Sequence, residues 1–224
     1  MNEKNLINLS PRNFVKYAPA PWDLEGQGII LVYKFPKKWV EECTLIPDYK
    51  RNEFKRGLGF LMLVNYSKSP IGPYRELLLI PGKFGENKKQ SITSIFVDSL
   101  ASTQNGRNNW GIPKKTLKID WIEKNGKHTI TVKKEDEPVF SCEVKAGGVS
   151  FPVTTSFLPI DLQQRWNGID FFVKPSGSGW GKLAQVKIDH LDPEYFPDIR
   201  SFKPLFAVKV DPFRIHFPEA KFHE

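Results

Sequence analysis

Short runs of apolar residues, each closed by glycine, proline or a polar cluster, recur along the whole chain. The clearest are Gly28–Phe35, Gly59–Tyr66, Tyr74–Ile80, Ser91–Val97, Thr116–Glu123, His128–Lys133, Pro138–Val144, Val149–Phe157, Gly168–Val173, Leu183–Ile188 and Leu205–Val210. They are rich in aromatic and β-branched side chains, which favour a pleated, half-buried backbone. So many short strands with so few helix-length runs predict a β sandwich or barrel rather than alternating βαβ units. The firmest local prediction is a hairpin at Asn125-Gly126, because this pair supplies the two positive-φ residues of a type I′ turn. On its first arm Leu117, Ile119 and Trp121 share a face; on its second, His128, Ile130 and Val132 do.

Three short helices complete the expectation. Asp98 is placed to cap a helix over Ser99–Asn105, with Gly106 as its left-handed end. Lys37–Cys43 forms a second. A third runs over Pro193–Phe202, with Asp192 as cap, Pro193 at the first helical position and Pro197 limiting its length.

Composition narrows the class without changing this picture. The 224 residues are 40% hydrophobic and 26% charged, with a net charge of +8, the balance of a globular protein rather than a disordered or fibrous one. No repeat or Ser/Gly/Pro linker divides the chain, so residues 1–224 are read as one domain. No window holds eighteen apolar residues, which excludes a spanning helix. The opening Met-Asn-Glu-Lys-Asn is not followed by an apolar core of the signal-peptide kind, and a cytoplasmic address is expected. Cys43 and Cys142 fit two reduced thiols better than a disulfide. The basic runs Lys34–Lys38, Lys50–Arg56 and Lys88–Lys89 are short and scattered, and read as solvated surface rather than a nucleic-acid groove.

Most chemistries find no foothold. His128, His190, His216 and His223 lack metal-ligand spacing, so no metal or other cofactor is expected. Pro175–Gly181 is glycine-rich without the Gly-Lys-Ser/Thr ending of a phosphate loop, and reads as a flexible turn or a lid over a pocket. No G-x-S-x-G elbow is present.

One segment stands apart: Gly106-Arg107-Asn108-Asn109-Trp110-Gly111-Ile112-Pro113-Lys114-Lys115. On a surface two adjacent lysines mean nothing, because water screens their repulsion. In an apolar cavity, burial and a like charge both disfavour the ammonium form. A free lysine titrates near 10.4, so at pH 7 only about four in ten thousand carry the lone pair a nucleophile needs.

This segment resembles the active-lysine signature of the acetoacetate decarboxylase family, Gly-Arg-Glu, an aromatic, then Gly-Phe-Pro-Lys-Lys. Upstream, Ser69-Pro70-Ile71-Gly72-Pro73-Tyr74-Arg75-Glu76 resembles that family's Gly-Pro-Tyr-x-Glu segment. The resemblance implies a mainly antiparallel β barrel or cone with a few short helices, its interior holding the lysine, and assembly into a homo-oligomer. It makes Lys114 the Schiff-base nucleophile, Lys115 its cationic neighbour, and Glu76 an acid or proton shuttle in the same cavity. Tyr74, Gln27, Arg107 and Trp110 complete the expected pocket with Lys115, Arg107 and Trp110 bracing the loop. The activity implied is a Schiff-base lyase acting on a small oxo acid, without a cofactor.

Strand alternation adds a constraint. In a regular strand from Lys114, it is Lys115 that shares a face with Leu117, Ile119 and Trp121, so the two amines need not touch. Desolvation is then the main influence on the nucleophile, and the choice of Lys114 rests on the resemblance.

Three departures bear on the substrate. The family brings an arginine from an early strand to the substrate carboxylate, and Gly26–Tyr33 contains none, although Gln27 offers a neutral hydrogen bond. No acid lies between Glu53 and Glu76, where a second pocket acid is expected. Asn108 replaces the glutamate after Gly-Arg. These losses leave two alternatives open: an aldolase or dehydratase of the same superfamily, and a non-catalytic barrel that binds a small apolar ligand.

Overall fold

The structure, a computed structural model, describes residues 15–223. The opening residues read above for a targeting signal lie outside the described residues. In chain order the elements are β1 (Trp22–Tyr33), α1 (Lys37–Glu42), α2 (Asp48–Arg51), β2 (Gly59–Lys68), β3 (Tyr74–Ile80), β4 (Lys83–Phe84), β5 (Lys89–Gln90) and β6 (Ser94–Val97). There follow α3 (Leu100–Trp110), β7 (Lys115–Thr116), β8 (Lys118–Lys124), β9 (Lys127–Lys134), β10 (Glu137–Thr154), β11 (Leu162–Trp166) and β12 (Ile169–Val173). The last are β13 (Ser176–Leu191), β14 (Phe206–Phe217) and β15 (Lys221–His223).

Ten strands form one sheet in the order β7-β6-β3-β2-β1-β14-β13-β10-β9-β8, antiparallel except for β6 with β7. Its two edge strands, β7 and β8, are separated in the chain by Leu117 alone, so the sheet must curl until its edges meet. The result is a nearly closed barrel. A second sheet, β15-β12-β11-β5-β4, packs beside it.

Central strands are buried on both faces, and alternation sorts their side chains into two clusters. Ile29, Leu31 and Tyr33 of β1, Leu61 and Leu63 of β2, and Leu77 and Leu79 of β3 enter the first. Phe96 of β6 and Ile119 of β8, from opposite ends of the sheet, join them there, which makes this the inner face. The opposite parity supplies the second cluster: Trp22 and Leu24, Phe60 and Val64, Tyr74 and Leu78, closed by Trp110 of α3 and Leu162 of β11. Between the members of this second cluster lies the cavity that holds the candidate site, so the lysine is on the other face of the sheet and not in the barrel interior where the resemblance put it.

The Asn125-Gly126 hairpin forms as expected, with φ of 53° and 71°. Elsewhere three expectations are corrected. Pro175–Gly181 is no lid or turn: Ser176 onward is strand β13. A Cβ on Gly179 would lie 2.5 Å from the Pro212 carbonyl oxygen, so glycine is what lets β13 close against β14. Pro193–Phe202 is not helical. Asp192 Oδ1 accepts from the Glu194 amide, and Phe196 and Ile199 are drawn into the core, while Pro197 has no amide to continue a helix. In α3, Ser99 rather than Asp98 is the cap, accepting from the Ser102 amide, and the left-handed end is Gly111 at φ 63°. Gly106 lies inside the helix.

Candidate active site

The site is assembled by β3, by α3 and by the link from α3 into β7. On β3, alternation sends Tyr74, Glu76, Leu78 and Ile80 to the cavity face, with Glu76 held between Val64 of β2 and Val97 of β6. On α3, Ser102 and Gly106 stand one turn apart on the same face. A Cβ on Gly106 would sit 2.7 Å from Cδ and 2.8 Å from Cε of Lys114, so the lysine stem lies in the space a side chain would fill. The helix stops at Gly111, whose Cβ would strike the Phe171 ring at 2.6 Å. A tight turn follows, with the Lys114 amide donating to the Ile112 carbonyl at 2.7 Å.

This geometry delivers the Lys114 side chain to the cavity. Its Nζ donates to Glu76 Oε1 at 2.5 Å and to Ser102 Oγ at 2.9 Å, and lies 5.2 Å from the centre of the Tyr74 ring. Lys114 is 3% exposed and Glu76 4%. Burial, and then the Glu76 charge, push the Tyr66 and Tyr74 phenols well above the ordinary tyrosine range, so both stay protonated and able to donate. The cavity has a volume of about 140 Å³. Its walls are apolar over most of their extent: Ile30, Met62, Leu78, Ile95, Trp110 and Phe213 are representative. Among the described residues Glu76 is the one carboxylate that lines it.

The remaining pocket residues divide. Tyr74 and Trp110 line the cavity; Trp110 Nε1 also donates to the Pro218 carbonyl at 2.7 Å, and its ring meets Trp22 edge-on at 5.1 Å. Arg107 does not line it. Its Nη2 donates to the Lys114 carbonyl at 2.5 Å and its guanidinium lies 4.8 Å from the Trp166 ring, so it fixes the backbone that carries the lysine. Lys115 is exposed and lies outside the cavity, as alternation requires of the residue after a buried lysine. Gln27 is also outside. Its β1 neighbour Gly28 faces the cavity, whereas Gln27 borders a separate polar groove with Asn65 and Trp180, its Oε1 buried without a partner. Asn108 is exposed and does not line the cavity.

Two residues in contact with Lys114 were not singled out as site residues from sequence. Ser102 and Gly106 are four apart, the spacing of one helical face, and Gly106 opens the lysine motif; together these were the available signal. Arg214 was also missed. It borders the cavity mouth from β14, and no pattern near it pointed there. Among the described residues no group of three His, Cys, Asp or Glu side chains could hold a metal ion. No helix among them is long and apolar enough to cross a membrane.

A curled antiparallel sheet carrying an apolar-walled cavity with a lysine–glutamate pair places this chain in the acetoacetate decarboxylase fold. The family model for acetoacetate decarboxylase (ADC) matches residues 7–160, well over half of the sequence, and the chain belongs to that family. It is similar to acetoacetate decarboxylase from Legionella pneumophila subsp. pneumophila str. Philadelphia 1, at 14% identity and a TM-score of 0.67 over 98% of this chain and 93% of that one. It is similar also to the enduracididine biosynthesis enzyme MppR complexed with pyruvate (13% identity, TM-score 0.62, 92% and 91% covered). An acetoacetate decarboxylase-like enzyme from Sphingomonas wittichii RW1 is a third (13% identity, TM-score 0.64, 93% and 94% covered). At such identities the likeness establishes the fold alone. No curated protein sequence matches the chain.

Proposed function

We propose that the protein is a Schiff-base-forming carbon–carbon lyase that works on an oxo acid through Lys114, without a cofactor. The observation that carries this reading is the Lys114 amine, enclosed by apolar walls and 2.5 Å from a carboxylate. Transfer of the ammonium proton to Glu76 frees the nitrogen lone pair while the pair of groups stays neutral overall. The amine adds to the substrate ketone as the carbonyl π electrons move to oxygen, which takes the proton from Glu76. Glu76 then removes a proton from nitrogen and returns it to the hydroxyl, which leaves as water, and an iminium remains. The Glu76 carboxylate faces this cation where water does not screen it.

In a 3-oxo acid the bond to the carboxylate now breaks. Its electron pair forms the enamine double bond, the iminium π pair moves to nitrogen, and carbon dioxide departs. One solvent proton, relayed by Glu76, restores the iminium; water then adds to it and releases the ketone, and the proton shed returns to the Lys114–Glu76 pair. With a β-hydroxyl in place of the carboxylate, the same electron sink would drive aldol or dehydration chemistry, and product analysis separates the two.

The test is borohydride reduction in the presence of acetoacetate, pyruvate and bulkier oxo acids, followed by mass mapping. An adduct on Lys114, absent in Lys114→Ala, is expected; no adduct across the set would overturn the reading. The apolar cavity favours one second reading, a non-catalytic barrel that holds an apolar ligand. Co-purified ligand bound equally by Lys114→Ala, with no turnover by the unaltered protein, would select it. The setting that goes with the lyase reading is a homo-oligomer in the cytoplasm. The free thiols of Cys43 and Cys142 fit a reducing compartment, and the exposed Val149, Trp180 and Leu183 on β10 and β13 fit a face that a second copy covers.

A further inference from the structure

The cavity specifies its substrate more closely than the lysine does. We propose that the oxo acid taken by Lys114 carries an apolar body of about the size of an aromatic ring on its carbonyl carbon. This class is an aryl- or alkyl-substituted 3-oxo acid, as distinct from a short anion such as acetoacetate or pyruvate. The proposal rests on the Schiff-base reading of the same site.

Three observations carry it. The first is size and lining. A cavity near 140 Å³ with aliphatic and aromatic walls is comparable with the engineered apolar cavity of about 150 Å³ that stays dry and admits benzene. The second is charge. The Lys114 ammonium is already matched by Glu76, so the interior offers a small carboxylate no free cation, and stripping its water is uncompensated. An apolar body that leaves water in the same step offsets that cost, and a short acid has none.

The third is position. Glu76 pairs with Val64 of β2, Val64 with Gly28 of β1, and Gly28 with Val210 of β14, so these residues form one row across the sheet. Arg214, the single arginine lining the cavity among the described residues, stands four positions further along β14. A bulge in the pairing of β14 with β1 shortens that step: Arg214 pairs with Glu25, three positions from Gly28, about 10 Å along the strand after three strand spacings of about 4.8 Å across. Its side chain is 80% exposed and lies 3.6 Å from Glu25. Exposed and beside Glu25, this arginine is no ready partner for the carboxylate of an acid short enough to rest its carbonyl on Lys114. On the row itself β1 presents Gly28, and a Cβ built there would find its nearest neighbour, Cε1 of Phe213, at 3.5 Å. The absent side chain leaves a slot of about a methyl group against the Phe213 ring, which the edge of an apolar substituent can enter.

Borohydride trapping at Lys114 is therefore titrated with acetoacetate, 3-oxohexanoate and benzoylacetate. The concentration giving half-maximal adduct is expected to fall in that order, by about tenfold or more between the first and the last. Acetoacetate trapping at an equal or lower concentration than benzoylacetate would overturn the proposal and leave the Schiff-base reading standing. No adduct from any of the three would overturn both. Gly28→Ala adds a methyl that the slot accommodates without backbone movement, and its folding is checked by thermal melting. It is expected to reduce the benzoylacetate-to-acetoacetate advantage several-fold. An unchanged or larger ratio in a folded variant would refute the slot.

Discussion

Lys50 and Lys114 are each 3% exposed, yet their surroundings differ in kind. Lys50, on the short helix α2, has no carboxylate within ion-pair distance among the described residues. Its Nζ lies 5.7 Å from the Tyr49 ring and 5.8 Å from the Phe84 ring, and burial pushes its pKa below the ordinary lysine value. Lys114 has a carboxylate and a hydroxyl in contact with its amine and an open volume in front of it. Burial alone therefore does not single out a nucleophile. What separates the two is somewhere for the proton to go and room for a carbonyl to approach.

The largest expected effect is the contrast itself. Lys114→Ala should abolish oxo-acid trapping, and Lys50→Met should leave trapping at Lys114 intact; a modified Lys50 in the unaltered protein would erase the distinction. Next comes the proton partner. Glu76→Gln keeps the shape of the side chain and removes its base, and should slow adduct formation by about 10²- to 10⁴-fold. Because it also breaks a buried ion pair, a melting curve must accompany the rate.

Gly106→Ala is a finer probe. Alanine in a helix interior is favoured over glycine by about 0.5–1 kcal/mol, so helix propensity predicts a gain in stability. Displacement of the Lys114 stem predicts at least about a tenfold loss of trapping rate, since a reacting group misplaced by about 1 Å can cost more than that. An unaffected rate would show that the stem yields freely.

The smallest effect concerns a third buried base. His128 is almost fully enclosed, and its Nδ1 accepts from Trp121 Nε1 at 3.1 Å. Burial, reinforced by Lys209, lowers its pKa below 6.5 against the opposing charges of Glu123 and Asp211. Above the unfolded value of about 6.5 both states are neutral and stability does not depend on this group. As pH falls below it the unfolded chain binds the proton first, so stability drops until the folded value is passed. His128→Gln, which retains an acceptor for Trp121, should flatten that segment of the melting-temperature profile.

How far this site could be read in advance follows from the same physics. The meeting of Lys114 and Glu76 was legible because two motifs in order bring their residues together whatever the local geometry. Gln27 was misplaced by one position, since on a strand a single step moves a side chain to the other face, and it is Gly28 that faces the cavity. Lys115 was expected in the pocket beside Lys114 and is instead exposed outside it, although strand alternation had already set the two amines apart. The strand β11 escaped notice although Asn167-Gly168 marks its hairpin with β12 as plainly as Asn125-Gly126 marks the other, with φ of 51° and 82°. Its Leu-Gln-Gln-Arg-Trp sequence hides the pattern, because the inward Gln164 is buried against Ser91 instead of being apolar. Pro175–Gly181 misled for the opposite reason. Glycine there serves close strand approach, which in sequence looks the same as flexibility.

The meeting of the sheet's two edges across Leu117 has a consequence for the lysine. Lys114 immediately precedes β7, and β7 is tied to α3 through the Thr103–Thr116 hydroxyl contact at 2.7 Å and to β6 through its parallel pairing. The reactive group is thus mounted on the clasp of a hoop. Any strain that springs the hoop open reaches the amine before it reaches the far wall, so chemistry at Lys114 should fail at milder heat or denaturant than the loss of the remaining strands.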